Sequence, residues 1–133
     1  MKEENNTTYS IPEASSALQI SQSTIRHLCN TGLVPHVRRG RRGQRLLAEW
    51  QLNHIRTILD LRQAGLSKAE LKRYARLFRE GKFTLPERKA LLETQKRQLW
   101  QELEDLQRGI DILERQIELI DQSLRQKIKP KHR

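Results

Sequence analysis

The sequence predicts a mainly α-helical chain in which a winged helix-turn-helix head with a small β-wing is followed by a long dimerising coiled-coil helix. Three features indicate this fold class: two short helices joined by a brief turn, a hairpin rich in Arg and Gly, and a heptad repeat towards the C-terminus. The predicted parts are a flexible N-terminus (residues 1–8), the head (9–81), the coiled-coil helix (84–127) and a basic tail (128–133).

Polar capping motifs mark where the helices begin. Ser10, Ser67 and Thr84 each precede a Glu by three residues, which is the spacing of a capping box, and Ser21 can cap a helix through its hydroxyl. Glycine and proline residues mark the ends. Together these motifs predict helices at about residues 11–18, 22–31, 49–64, 68–79 and 85–127.

A short wing is predicted between the second and third helices. Residues 34–37 and 44–47 have β-like composition, and the turn between them, residues 38–43, contains four Arg and two Gly. From Ala14 to Ala48 the chain has no Asp or Glu, and its six basic residues are all Arg, whose planar guanidinium suits phosphate and guanine. A cluster of one sign beside a helix-turn-helix predicts a nucleic-acid interface rather than a merely solvated loop.

The second predicted helix has one apolar and one polar face. Ile25, Leu28 and Cys29 follow helical spacing and should pack on the first helix. The opposite face carries side chains that can hydrogen-bond to base edges and phosphates. The candidate DNA-contacting residues are Tyr9, Ser21, Gln22, Ser23, Thr24, Arg26, His27, Asn30, Arg38, Arg39, Arg41, Arg42 and Arg45.

Composition limits the class of function. The 133 residues are 35% hydrophobic and carry a net charge of +10, which indicates a polyanionic partner, either nucleic acid or an anionic membrane. The single Cys29 allows no intrachain disulfide; it is expected to be a small core residue, with redox sensing as the alternative. Because no apolar run has transmembrane length and no signal-peptide core is present, we expect a cytoplasmic protein without a membrane partner.

The last predicted helix carries two apolar series, each with a spacing of seven, that alternate as the a and d positions of a coiled coil do. A stripe of this kind must be buried against a partner. Its first two turns could instead pack within the chain, and periodicity does not fix the direction of pairing. The candidate dimerisation residues are Leu92, Leu99, Leu103, Leu106, Ile110, Leu113, Ile117, Ile120 and Leu124.

Several motifs resemble those of the MerR family of bacterial transcriptional regulators. They are Tyr9-Ser10-Ile11, Ile20–Arg26, Gly32–Pro35, Arg45–Leu47 and Leu61–Ser67. The resemblance implies a sequence-specific DNA-binding regulator, a homodimer with an antiparallel coiled coil on a pseudo-palindromic promoter site, and engagement of RNA polymerase when a small-molecule effector binds. The segment from Lys72 to Leu92 resembles the short branch of the family that responds to aldehydes or other small-molecule stress.

Other chemistry finds little support in the sequence. Tyr74, Phe78 and Trp100 could line an apolar effector pocket, although a plain role in the core is the simpler interpretation. We recognise no cofactor motif, no metal-ligand spacing and no catalytic constellation, so we expect no enzyme. Two alternatives stay open: an architectural or recombination accessory DNA-binding protein without an effector, and a coiled-coil assembly protein whose basic head binds RNA.

Overall fold

The computed structural model describes residues 7–128, which form a mainly helical chain with one small sheet. This confirms the predicted fold class. The elements are β1 (Thr8–Tyr9), α1 (Ile11–Leu18), α2 (Gln22–Asn30), β2 (Arg38–Arg39), β3 (Arg45–Ala48), α3 (Glu49–Gln63), α4 (Lys68–Glu80), a 3-10 turn (Lys82–Thr84) and α5 (Leu85–Ile128). None of the helices within this range is long and apolar enough to cross a membrane.

Two of the predicted capping boxes form. At the start of α1 the Glu13 amide donates to Ser10 Oγ at 3.2 Å, and Glu13 Oε1 accepts from the Ser10 amide at 2.9 Å. Ser67 and Glu70 make the same pair of bonds at the start of α4, at 3.2 and 2.8 Å. Because each box satisfies amides that the helix leaves unpaired, both helices begin at the predicted residues.

The third predicted capping box, at Thr84, is wrong. The Thr84 hydroxyl is buried and lies 2.7 Å from the Leu77 carbonyl oxygen, to which it can donate, while Arg88 Nε donates to the same hydroxyl at 3.0 Å. Glu87, the expected partner, forms an ion pair with Arg73 instead. The hydroxyl therefore joins the end of α4 to the start of α5. Because it is buried, it needs hydrogen-bond partners, and these two bonds supply them.

The first strand of the wing also differs from its prediction. Residues 34–37 form a loop in which Val34 and Pro35 are buried and His36 has a left-handed backbone with φ of 61°. The hairpin strand is β2 at Arg38–Arg39, and it pairs antiparallel with β3. The apolar residues that gave this segment its β-like composition thus pack in the core. A short apolar run in a sequence does not distinguish a buried loop of this kind from a strand.

A further strand lies in the segment predicted as a flexible N-terminus. Thr8 and Tyr9 of β1 pair antiparallel with Ala48 and Leu47 of β3, which gives the sheet order β1-β3-β2. Strand β1 therefore includes Thr8, the last residue of the segment predicted to be flexible. Residues 1–6 of that segment, and 129–133 of the predicted basic tail, lie outside the described residues.

The core joins the helix-turn-helix to α3 and the sheet. Ile25 and Leu28 of α2, Leu47 of β3, and Ile55 and Ile58 of α3 are almost completely buried and belong to one apolar cluster. Side chains of this size each contribute about 1.5–3 kcal/mol when they are fully buried. The packed face of α2 is thereby fixed, and its polar face is left to solvent.

The chain divides into two compact units within α5, one ending at Gln95 and the other beginning at Lys96. The first turns of α5 belong to the head: Leu91 is buried and Leu92 packs against the head core. The compact unit that contains the helix-turn-helix therefore includes the start of α5. From Leu99 onward the a and d side chains of α5 are exposed.

Candidate nucleic-acid interface

Helix α2 presents a polar face opposite its buried residues. Ser21 caps the helix by accepting from the Thr24 amide at 3.1 Å, and its hydroxyl also lies 2.7 Å from the Thr24 hydroxyl. Ser21 is therefore committed to holding the helix start, and Thr24 is half-buried beside it. The exposed side chains that remain on this face are Gln22, Ser23, Arg26, His27 and Asn30.

Gln22 and Arg26 on this face form a hydrogen bond with each other. Arg26 Nη1 donates to Gln22 Oε1 at 3.4 Å, one helical turn away. This long, exposed bond restrains the guanidinium only weakly and leaves most of its donors unused. Gln22 and Arg26 could therefore turn together towards base edges, which accept hydrogen bonds from both residue types.

The wing is held by its own turn. The Gly40 amide donates to the Gln44 carbonyl at 2.7 Å, and the Arg42 amide donates to Gln44 Oε1 at 2.9 Å. Arg39 Nη1 donates to the Gly43 carbonyl at 2.7 Å, so this arginine partly braces the hairpin. The tight turn needs the positive φ of Gly43, 80°, which suits glycine.

The other wing arginines keep their charge unneutralised. Within residues 7–128, the guanidinium groups of Arg38, Arg41 and Arg42 form no hydrogen bond or ion pair, and all three side chains are exposed. The described ion pairs lie on α4 and α5 instead. A surface whose arginines have no ion-pair partner attracts a phosphate backbone.

Arg45 connects the wing to α2. Its Nη2 donates to Asn30 Oδ1, although the two residues lie fifteen positions apart in the sequence. Both were predicted as DNA contacts, and the structure joins them to each other at the inner edge of the candidate interface. Arg45 is half-buried there. Its guanidinium can thus hold β3 against α2 while Arg38 and Arg42 stay free.

Two residues that the sequence analysis did not select position this site. Gln51 Oε1 accepts from the Ala48 amide at 2.7 Å, which caps α3, and Gln51 Nε2 donates to the Pro35 carbonyl at 2.8 Å. His54 Nε2 lies 2.9 Å from the Leu33 carbonyl. Both side chains are buried, and they fasten the loop before the wing to α3. A Gln three residues after the cap position was the available sequence signal for the first of them.

Burial changes the protonation of two side chains near the interface. Removal from water lowers the pKa of His54, and the Leu33 carbonyl opposes this only in part, so neutral imidazole can donate Nε2–H to that carbonyl. Burial likewise raises the pKa of the Cys29 thiol, against the opposing charges of Arg45 and Arg39. The thiol form of Cys29 is thereby favoured, which agrees with its half-buried place against the core.

Tyr9 already has a protein partner. Its hydroxyl donates to Glu49 Oε1 at 2.8 Å, and this hydrogen bond, with the charge of the carboxylate, raises the pKa of Tyr9. The bond joins β1 to the first residue of α3. A contact from Tyr9 to phosphate stays a prediction, and it would have to share this hydroxyl.

The three aromatic residues predicted for an effector pocket have different surroundings. Phe78 stacks on Trp50 with a centroid distance of 6.1 Å, and the Arg88 guanidinium lies 5.2 Å from the Phe78 centroid and 6.0 Å from that of Tyr74. Tyr74 also packs against the head core. Trp100 belongs to the other compact unit, where its side chain is 60% exposed. The pocket stays a prediction.

The predicted dimerisation residues fall into two groups. Leu92 is partly buried and packs against the head core, which agrees with the alternative that the first turns of this helix pack within the chain. The others are 41–66% exposed within the single chain. They are Leu99, Leu103, Leu106, Ile110, Leu113, Ile117, Ile120 and Leu124.

Comparison with known proteins identifies the same arrangement elsewhere. Residues 9–77 match the family model described as MerR HTH family regulatory protein. An uncharacterized HTH-type transcriptional regulator of Haemophilus influenzae is 31% identical over 107 residues, which are 80% of this chain and 79% of that protein. A crystal structure from Listeria monocytogenes, of a MerR family transcriptional regulator, gives a TM-score of 0.70 at 35% identity and covers 87% of this chain and 88% of that one.

A second crystal structure contains DNA. HiNmlR, a MerR family regulator lacking the sensor domain, is bound to promoter DNA in its crystal structure. It gives a TM-score of 0.67 at 28% identity and covers 88% of this chain and 93% of that one.

Proposed function

The chain belongs to the MerR family of helix-turn-helix regulatory proteins, and we propose that it regulates transcription as a homodimer bound to a pseudo-palindromic promoter site. In this proposal α2 enters the major groove of duplex DNA and the wing contacts the flanking phosphates. Two-fold symmetry of the protein then matches the symmetry of the site.

The observation that carries the proposal is the unneutralised arginine wing beside α2. Arg38, Arg41 and Arg42 have no acidic partner within the described residues, and the Asn30–Arg45 bond holds the wing against α2. Phosphate contacts fix the register of a protein on DNA, and side chains in the groove read the bases. The arrangement offers both kinds of contact on adjoining elements.

The similar proteins support the same function. HiNmlR is bound to promoter DNA in its crystal structure, and the part of this chain that matches the family model, residues 9–77, includes both α2 and the wing. We further propose that the dimer forms through the exposed a and d residues of α5, that it engages RNA polymerase in the cytoplasm, and that a small-molecule effector modulates it. A catalytic role is not part of this proposal.

DNA binding can be tested with two substitutions on different elements. On a duplex selected from random DNA, Arg42→Ala should weaken binding to all sequences and reduce the salt dependence by about one unit of log–log slope, as for one lost phosphate contact. Arg26→Ala should cost about 1–3 kcal/mol on the selected site and relax its sequence preference, as for a lost base contact. Fluorescence anisotropy titrations at several salt concentrations measure both effects.

Arg79→Ala provides the matched control, because Arg79 is an exposed arginine on α4, outside the candidate interface. It should change neither affinity nor sequence preference by more than a small factor. Unchanged binding for both Arg26→Ala and Arg42→Ala would overturn the proposed interface. Equal affinity for duplex RNA of the same sequence would favour the RNA-binding alternative.

A further inference from the structure

A cavity of about 150 Å³ lies in the head, lined by residues of α2 and of the loop that follows it, the last turn of α3 and the first turns of α4. Its apolar lining comes from Leu28, Leu33 and Leu71, which are 1%, 8% and 3% exposed. These residues belong to the head core, so the floor of the cavity is fixed by packing. An apolar lining of this kind favours a ligand with a hydrocarbon body.

The rim of the same cavity is cationic. Arg62, Lys68 and Lys72 line it, and all three are exposed. In the part of the chain that the structure describes, none of them forms an ion pair or a side-chain hydrogen bond. Three like charges around one small cavity repel each other, and an anionic group among them would relieve that repulsion.

Among the described residues, no acidic side chain forms an ion pair with this rim. Glu70 lies between Lys68 and Lys72 in the sequence, but its carboxylate accepts from the Ser67 amide at 2.8 Å in the capping box. Lys68 is the first residue of α4, so the partial positive charge of the helix start adds to that of the three side chains. The rim therefore offers a positive potential directly above an apolar floor.

We propose that this cavity binds a small organic anion, with its hydrocarbon part on Leu28, Leu33 and Leu71 and its carboxylate among Arg62, Lys68 and Lys72. The volume corresponds to roughly five water molecules at about 30 Å³ each, which suits a short-chain or small aromatic carboxylate rather than a drug-sized compound. The affinity expected of so small a ligand is a Kd of about 0.1–1 mM.

The cavity is placed to couple its ligand to DNA binding. His27 of α2 and Thr31, the cap residue that follows α2, also line it, and the Thr31 hydroxyl donates to the His27 carbonyl at 2.9 Å at the end of that helix. An anion here neutralises cationic charge beside the helix that carries Arg26. By linkage, a ligand that weakens DNA binding is itself bound less tightly when DNA is present. This coupling rests on the proposed function, whereas the ligand site does not.

The site can be tested on the full chain without DNA. Hexanoate, added up to about 10 mM, should shift the methyl NMR signals of Leu28, Leu33 and Leu71 in a saturable way, with a Kd of about 0.1–1 mM. Inorganic phosphate, which carries charge without an apolar body, and 1-hexanol, which has the body without charge, should give no saturable shift at the same concentration. No saturation with hexanoate, or equal saturation with phosphate, would overturn the proposal; the latter would indicate a site for phosphate groups such as those of DNA.

The charge requirement is tested with two double substitutions on α4. Lys68→Gln with Lys72→Gln should raise the Kd for hexanoate about tenfold or more, because each loss removes a charge–charge attraction at the rim. Arg76→Gln with Arg79→Gln removes the same charge from exposed positions outside the cavity lining and should leave that Kd unchanged. Equal weakening by both pairs would mean that net charge alone attracts the ligand, and it would overturn the site.

Coupling is measured on the selected duplex at constant ionic strength. Hexanoate at saturation should weaken DNA binding about fivefold or more relative to chloride. The Lys68→Gln, Lys72→Gln chain should lose this response. Saturable binding of hexanoate with unchanged DNA affinity would overturn the coupling and support the ligand site. Absence of DNA binding by the unmodified chain would contradict the proposed function without affecting the NMR result.

Discussion

Single buried side chains fasten the loop that precedes the wing. His54 reaches the Leu33 carbonyl and Gln51 reaches the Pro35 carbonyl, so both ends of a short apolar loop are bonded to α3. Removing one partner of either bond would leave the other group buried without a hydrogen bond, which costs about 1–3 kcal/mol. The candidate interface therefore depends on residues that never need to contact DNA.

The pH dependence of folding should expose the role of His54. Its pKa lies below the usual 6.5 in the folded chain, so the unfolded chain binds its proton more readily. The stability it contributes is fully present above about pH 6.5 and is lost as the pH falls towards the folded pKa, with a slope of at most about 1.4 kcal/mol per pH unit. Urea unfolding between about pH 5 and 7.5 should show this loss in the native chain.

His54→Gln supplies the comparison, because a Gln amide can donate to a carbonyl but does not titrate in this range. The difference in unfolding free energy between the two chains should therefore narrow as the pH falls. A difference that is constant across the range would contradict the assignment of a neutral, buried His54.

Residue types were more predictable than their partners. The polar face of α2 and the arginines of the wing followed from local spacing and charge. The Asn30–Arg45 and Tyr9–Glu49 bonds join residues fifteen and forty positions apart, and no local pattern specifies such pairs. The sequence therefore predicted a set of candidate DNA-contacting residues. It did not distinguish the residues that bond to other parts of the head from the residues whose side chains have no partner.

At the scale of elements, local chemistry determined what could be predicted. The capping serines fixed the starts of α1, α2 and α4, because a cap lies within four residues of the helix that it begins. The two-residue strands β1 and β2 are too short to show a period, and they exist only because β3 lies between them. Thr84 has the spacing of a cap, but in the folded chain its hydroxyl bonds to the Leu77 carbonyl near the end of α4.

The wing turn provides a prediction for one element. Gly43 has a φ of 80°, and a Cβ added there would meet nothing within 4 Å, so Gly43→Ala changes backbone strain alone. Left-handed backbone costs an L-residue roughly 1–2 kcal/mol, which should loosen the turn and weaken DNA binding. Anisotropy and urea unfolding measure the two effects.

Gly109→Ala is the paired control, because Gly109 also has open space around a new Cβ but lies inside α5. That substitution should raise the unfolding free energy by about 0.5–1 kcal/mol. If Gly43→Ala left the unfolding free energy unchanged, or raised it as Gly109→Ala should, the wing turn would not require its glycine.

For the whole molecule, the exposed a and d residues of α5 call for a partner. Leu106 and Leu113 are 66% and 62% exposed in the single chain. Apolar side chains repeated at this spacing over several turns are not left in water by a folded protein. A second copy of the chain presents the same stripe and can bury it.

Ile110→Asp should convert the proposed dimer into a monomer, because a carboxylate would have to enter an apolar seam without a partner. Light scattering at micromolar concentration measures the mass, and circular dichroism should show that the head remains folded. Gln122→Asp makes the same change of charge at an exposed position outside the a and d series and should remain dimeric. A dimeric Ile110→Asp chain, or a monomeric native chain, would contradict pairing through α5.

The strand β1 has a consequence for the order in which the head is assembled. Thr8 and Tyr9 are synthesised before their partners Ala48 and Leu47, which leave the ribosome some forty residues later. Helices α1 and α2, whose contacts are local, can pair in the interval, since short-range contacts form faster than distant ones. We therefore expect the pairing of β1 with β3 to close after α1 and α2 have packed together, so that this strand pair completes the head last.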